Sequence, residues 1–197
     1  MLALPEKVTL EGWGVRLEPL APAHLPALAA AITDGALSEL AVTLVPRIHE
    51  LPQFLQHAEA QCAAGQELAF ATRDLCTGVI AGSTRFMRIE ARHRRAEIGF
   101  TFLARSWQRT HVNTAAKLLM LRHGFETWQL NRIELLTDVL NLRSRAAIAR
   151  LGATQEGILR SHMIMRNGRM RDSVLFSLTA SEWPAAKRRL EARLEPP

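Results

Sequence analysis

Two stretches of this chain carry residue types at spacings that could do chemistry. Residues 96–117 read A-E-I-G-F-T-F-L-A-R-S-W-Q-R-T-H-V-N-T-A-A-K. A strand should end near Leu103, a polar and basic loop should follow, and a helix should begin near Thr114. The free N–H groups of a helix's first turn, backed by the macrodipole, form an anion site. Arg109 adds charge there, and Gln108, Thr110 and Asn113 add neutral donors, so the stretch could cradle a pyrophosphate. An ordinary helix start capped by Asn113 or Thr114 accounts for the same residues. Residues 137–152, T-D-V-L-N-L-R-S-R-A-A-I-A-R-L-G, repeat the arrangement. Asn141 stands where an N-cap belongs and Ser144 follows three residues later, so both face the preceding strand end. Ala147, Ile148 and Leu151 then form a buried stripe. Two strand ends, each handing over to a donor-bearing helix start, make a cleft suited to an extended phosphate-bearing cofactor.

A carboxylate precedes the first of these loops. Strand alternation puts Ile98, Phe100 and Phe102 on one face and Glu97, Gly99 and Thr101 on the other. A lone carboxylate in such a strand needs a partner or a task. Glu97 is therefore a candidate general base, or else an ion-pair partner of Arg94 or Arg95. The chain has no tyrosine, so Ser144 is the hydroxyl on the second helix that could meet a departing thiolate; a helix-start hydroxyl is its plainer role. His162 and Met163 could line an acceptor groove or simply pack in a sheet. Other constellations fail. His49-Glu50 starts like a zinc-protease helix, but Gln53 holds the later position and Pro52 interrupts the turn. Two cysteines and seven histidines show no metal-ligand spacing, so no metal is expected. No nucleophile elbow, P-loop or G-x-G-x-x-G occurs.

These residues need a scaffold, and 197 residues with 48% apolar content suffice for one domain over residues 1–197. Strands are expected at 15–20, 68–73, 79–88, 96–103, 132–139, 156–166 and 171–178. The last two flank Asn167-Gly168, a strong hairpin signal. Helices are expected at 23–33, 52–64, 114–128, 141–151 and 181–194, with Gly152 ending the fourth as an αL cap. Meandering early strands and later strand-helix-strand crossovers give a mixed α/β (α+β) fold, with a largely antiparallel seven-stranded sheet and helices on both faces. The formal charge is +6, and the densest basic clusters, residues 92–95 and 187–193, read as a solvated hairpin tip and a surface helix. Residues 1–7 lack a basic region followed by an apolar stretch, which argues against a secretory signal. Two cysteines exclude a disulfide framework and favour a reduced cytoplasm.

E-I-G-F-T-F-L, the loop after it, and N-x-x-S-x-x-A-x-x-x-L-G together resemble the GNAT superfamily of acyl-CoA-dependent N-acyltransferases. The branch resembled is that of the bacterial ribosomal-protein N-terminal acetyltransferases, and the likeness runs from Val15 to about Trp183. It implies a sheet that splays at its centre. It implies that Thr101, Phe102 and Leu103 take the pantetheine arm of acetyl-CoA. Gln108, Arg109, Thr110, His111, Val112, Asn113 and Thr114 would hold the pyrophosphate, Asn141 would contact the pantetheine, and Ser144 would lie near the sulfur. The family's phosphate loop is Gln or Arg, two residues, Gly, one residue, then Gly or Ala. Here His111 stands in place of the first Gly and Asn113 in place of the second. A different loop path is expected, with Arg109 and Thr110 offsetting the lost backbone approach.

The implied activity is transfer of an acetyl group from acetyl-CoA, as co-substrate, to a primary amine by direct attack in a ternary complex. An α-amine titrates near about pH 8 and a lysine near about 10.4, so an α-amine needs less help to become neutral. A protein or peptide N-terminus is the favoured acceptor, with Glu97 as base and Ser144 at the thiolate. Alternatives are a small-molecule amine, such as an aminoglycoside or polyamine, and a non-enzymatic basic binding module. No membrane partner is expected, nucleic acid is disfavoured by the 6% aromatic content, and a homodimer is left open.

Overall fold

A computed structural model of the chain describes residues 6–195. Residues 1–5, on which most of the secretory-signal argument falls, and residues 196–197 lie outside that range. The chain opens with β1 (Leu10–Gly12) and β2 (Val15–Pro19), then α1 (Leu25–Thr33), α2 (Leu51–Ala63), β3 (Leu68–Asp74), β4 (Ile80–Glu90) and β5 (Arg95–Leu103). It continues through α3 (His111–Arg122), a π-helical turn (His123–Thr127), β6 (Arg132–Asp138) and α4 (Leu142–Leu151). It ends with β7 (Thr154–Ile164), β8 (Met170–Thr179) and α5 (Trp183–Ala192). All strands join one sheet in the order β1-β2-β3-β4-β5-β6-β8-β7. Every neighbouring pair is antiparallel except β5 with β6.

The mixed, largely antiparallel architecture agrees with the sequence, but the sheet has eight strands where seven were expected. The extra one, β1, is three residues of a tight hairpin turned by Trp13 and Gly14, whose φ values are 49° and 73°. Two successive left-handed residues match the twist of the flanking strands. A three-residue strand ending in Gly carries no legible alternation.

Two cores flank the sheet. Val15, Leu17, Phe70, Ile98, Ile133, Leu135, Val174 and Phe176 face α3, α4 and α5. Leu20, Ala69, Ala71, Ile80 and Phe102 face α1 and α2. Helix α3 is buried almost all round, from Ala115 through Leu121, so it is the pillar on which the central strands rest. Helix α4 starts at the Asn141 cap and stops at Gly152, whose φ of 95° is left-handed, as expected for a C-cap glycine. Among the described residues, no helix is long and apolar enough to cross a membrane.

Candidate active site

The central pair of strands separates. β5 and β6 pair only at Arg95 with Arg132, Ala96 with Ile133 and Glu97 with Glu134. Beyond that, β5 stays on β4 through Phe102 and Leu103, while β6 stays on β8 as far as Asp138. Residues 98–103 and 135–138 thus line a wedge whose facing backbone edges do not pair with each other. An unpaired edge is a ready hydrogen-bonding track for an extended ligand.

A bulge accompanies the divergence. Phe100 and Thr101 together oppose Thr84, and Phe100 sits at φ 45°. The expected alternation of β5 therefore fails at this point. Ile98 and Leu103 join the core under α3, but Phe102 joins the core under α1 and α2. The Phe100 ring packs edge-on against Phe54 of α2, so Phe100 shares the face of Glu97. Thr101 turns to α3, where its Oγ1 accepts a 2.6 Å hydrogen bond from Lys117 Nζ. Lys117, 5% exposed, also donates to Thr84 Oγ1 at 2.8 Å. Burial pulls its pKa down to about 7.

The first helix junction begins earlier than expected. Thr110, extended, is the N-cap and its Oγ1 accepts Val112 N–H, so α3 starts at His111 and not near Thr114. The left-handed residue of the loop is Arg109, at φ 66°. His111, in the first helical position, needs no positive φ, and its ring folds back to put Nε2 3.5 Å from the buried Asp74 carboxylate. The substitution of His for Gly is thus accommodated by a side chain directed at the β2–β3 end of the sheet. Gln108 ties the loop to the strand end, its Nε2 donating to Leu103 O at 3.1 Å. Arg109, Thr110 and His111 are exposed, Val112 is buried, and Asn113 and Thr114 are half-buried. Across the wedge, Asn141 Oδ1 accepts Ser144 N–H at 3.1 Å. Asn141 is the N-cap of α4, and the Ser144 hydroxyl has no hydrogen-bond partner among the described residues.

Glu97 lies at the apex, where β5 and β6 stop pairing. It is 6% exposed. Its neighbour is Arg88 of β4, Nη1 to Oε2 3.2 Å without hydrogen-bond alignment, and not the expected Arg94 or Arg95; Arg95 pairs with Glu90. Burial raises the Glu97 pKa to about 7, with Glu134 adding to the rise and Arg88 and Arg171 opposing it. Arg88 reaches Glu97 because Arg88 and Ile89 together oppose Ala96 in a second bulge, with Arg88 at φ 50°.

A third bulge lies in β7, where Ser161 has φ 49°. Among the described residues, Arg88, Phe100 and Ser161 are the three non-glycine strand positions with left-handed φ. Each such residue costs on the order of 1–3 kcal/mol, and strain of this kind gathers at functional sites. On this face of the sheet a row of ionisable groups runs from Arg88 and Glu97 to Arg171 and Asp138. Asp138, fully buried, accepts Leu140 N–H at 2.9 Å and pairs with Arg169. Sequence reasoning gave no role to Arg88, Lys117, Asp138 and Arg171, although Lys117 and Asp138 lie within the two stretches singled out, because their partners depend on the bulges and the pairing register.

The site is a wedge with helix starts carrying anion donors on one side and a buried carboxylate of raised pKa at its apex. Residues 15–154 match the family model described as Acetyltransferase (GNAT) domain. The chain belongs to the GNAT family, the class of acetyl-CoA-dependent acyltransferases. A GCN5-related N-acetyltransferase from Brucella melitensis is similar with a TM-score of 0.86 at 33% identity, over 98% of this chain and 88% of that one. Mycobacterium smegmatis RimJ, solved in complex with CoA-disulfide, gives 0.80 at 27% identity, over 95% of each chain. The protein named "Putative ribosomal N-acetyltransferase YdaF" from Bacillus subtilis (strain 168) is 32% identical over 113 residues, 57% of this chain. That match spans 61% of YdaF, less than two thirds of its length.

Proposed function

We propose that this protein transfers an acetyl group from acetyl-CoA to a primary amine, a protein or peptide N-terminal α-amine, by direct attack in a ternary complex. One observation carries the reading: the unpaired wedge joins a helix-start anion site on the α3 and α4 side to a buried carboxylate on the opposite face. The residues present fit a long, phosphate-bearing donor. The edge of Thr101, Phe102 and Leu103 that does not pair with β6 offers backbone groups to an extended amide-containing arm, with Leu103 O shared with Gln108. Arg109, Thr110, His111 and the first amides of α3, through Asn113 and Thr114, offer positive charge and donors to a pyrophosphate. Asn141 and Ser144 close the wedge from the other side.

When bound, acetyl-CoA supplies an activated acyl carbon that a neutral amine can attack. Glu97, ionised above about pH 7, takes a proton from the amine nitrogen, which is the task of a general base tuned to the working pH. Ser144, with its hydroxyl unengaged, donates a hydrogen bond to the departing sulfur, and the proton that Glu97 took from the amine is the one the sulfur finally carries. The α-amine is favoured because it lies closer to neutrality than a lysine side chain. Similarity to YdaF, which is named a ribosomal N-acetyltransferase, supports a protein acceptor. A thiol-release assay with acetyl-CoA against peptides, aminoglycosides and polyamines tests the reading. Turnover of peptide α-amines is the expected result, and turnover of polyamines without peptides would move the acceptor to a small molecule.

A further inference from the structure

Acetylation of an ammonium removes two protons from one nitrogen. One ends on the sulfur as the C–S bond breaks, and the other is released, so that R–NH3+ and the thioester give the amide, the thiol and a free proton. Glu97 is a single seat buried at the apex, and the incoming ammonium must be stripped before attack. We infer that His162 is the acceptor-side base that takes this first proton and passes it to water, leaving Glu97 to take the second after the N–C bond forms. The inference rests on the acyl-transfer reading above.

The backbone aims His162 at this face. Leu159 pairs with Ser173 and Met163 with Arg171, so residues 160–162 oppose Asp172 alone. Counted from Leu159 in a regular ladder, His162 would fall on the face away from Ser173. The bulge at Ser161, whose N–H is held by Asp172 Oδ1 at 2.7 Å, brings His162 Nδ1 to 2.9 Å from Ser173 Oγ instead. Ser173 is fully buried and lies across from Asp138 in the ladder, on the face that carries Glu97. With Nδ1 directed at Ser173, Nε2 has no protein partner among the described residues, and the half-buried ring keeps contact with solvent. Burial lowers its pKa, and the nearby charges of Arg88 from β4 and Arg171 from β8 add to the fall. Those same two arginines flank Glu97, so the imidazole and the carboxylate share one charged wall. A neutral imidazole beside two cations releases a captured proton readily to water.

The test uses the full chain and a peptide acceptor. His162→Gln, which keeps a hydrogen bond to Ser173 but takes no proton, should lower kcat/KM at pH 7 about tenfold or more. The deficit should shrink above about pH 8, where the α-amine is itself neutral. Added imidazole should restore His162→Ala and leave the wild type unchanged, while the Kd for acetyl-CoA stays the same in all three proteins. If His162→Ala fails to fold, Ser173→Ala, which removes the hydroxyl that orients the ring, should lower kcat/KM several-fold at pH 7. A pH-independent loss, a matching loss of acetyl-CoA affinity or no loss in these variants overturns the inference alone. A wild type that releases no thiol with any amine overturns the acyl-transfer reading and this inference with it.

Discussion

Glu97→Gln should make the protein more stable and less active at the same pH. Burial raises this carboxyl from 4.5 to about 7. A pKa unit corresponds to about 1.4 kcal/mol. Ionising Glu97 in the folded chain therefore costs up to about 3 kcal/mol more than ionising it in the unfolded chain. Because the folded pKa is raised, the stability of the protonated form is fully present below about pH 4.5 and is lost as pH rises through about 7. Glutamine keeps the shape and never ionises. Urea denaturation should show the variant and wild type close together near pH 4.5, with the variant ahead by up to about 3 kcal/mol at pH 8. In the thiol-release assay kcat/KM should fall by at least about tenfold, and the component of the acid limb near pH 7 should vanish, leaving the acceptor amine's own titration near about pH 8. A stability difference that is the same at both pH values would refute the buried-carboxylate argument. A variant that keeps the component near pH 7 would refute its role as base.

Arg109→Ala should weaken acetyl-CoA binding by about 0.5–1 kcal/mol, the scale of an exposed charge at a helix start, as read by calorimetry. Ser144→Ala should lower turnover, leave the pH profile of Glu97 in place and change acetyl-CoA affinity little. Lys117→Met removes a buried amine whose pKa is depressed to about 7. The cost of its charged form is greatest below that pH and disappears towards 10.5, so thermal melts should show the variant's gain largest in acid and absent at high pH.

The parts of the site that depend on local chemistry were legible in the chain. Asn141 and Gly152 mark a helix start and stop by their types alone, and the structure gives each its capping role, with Ser144 supplying the N–H that Asn141 caps. The parts that depend on irregular strands were not. Arg88, Phe100 and Ser161 take left-handed φ without being glycine, so nothing in the residue types announces the bulges. Without the Phe100 bulge, alternation assigns Phe100 and Phe102 to the face of Ile98, and without the Arg88 bulge the natural partner of Glu97 is Arg94 or Arg95. By its type Lys117 belongs on the solvent side of a helix, yet α3 is enclosed by the sheet, α5 and the β1–β2 hairpin. The start of α3 was misplaced because Asn113 and Thr114 are good cap types, whereas Thr110 holds that place and the buried Val112 already lies in the first turn.

The central claim is that the wedge between β5 and β6 holds the acyl donor. Titration of isotopically labelled protein with acetyl-CoA, followed by backbone amide shifts, tests it most directly. Saturating changes at Thr101, Phe102, Leu103, at residues 109–114 and at Asn141 and Ser144 are the predicted result. No binding at millimolar acetyl-CoA, or shifts confined to amides outside the wedge, would contradict it.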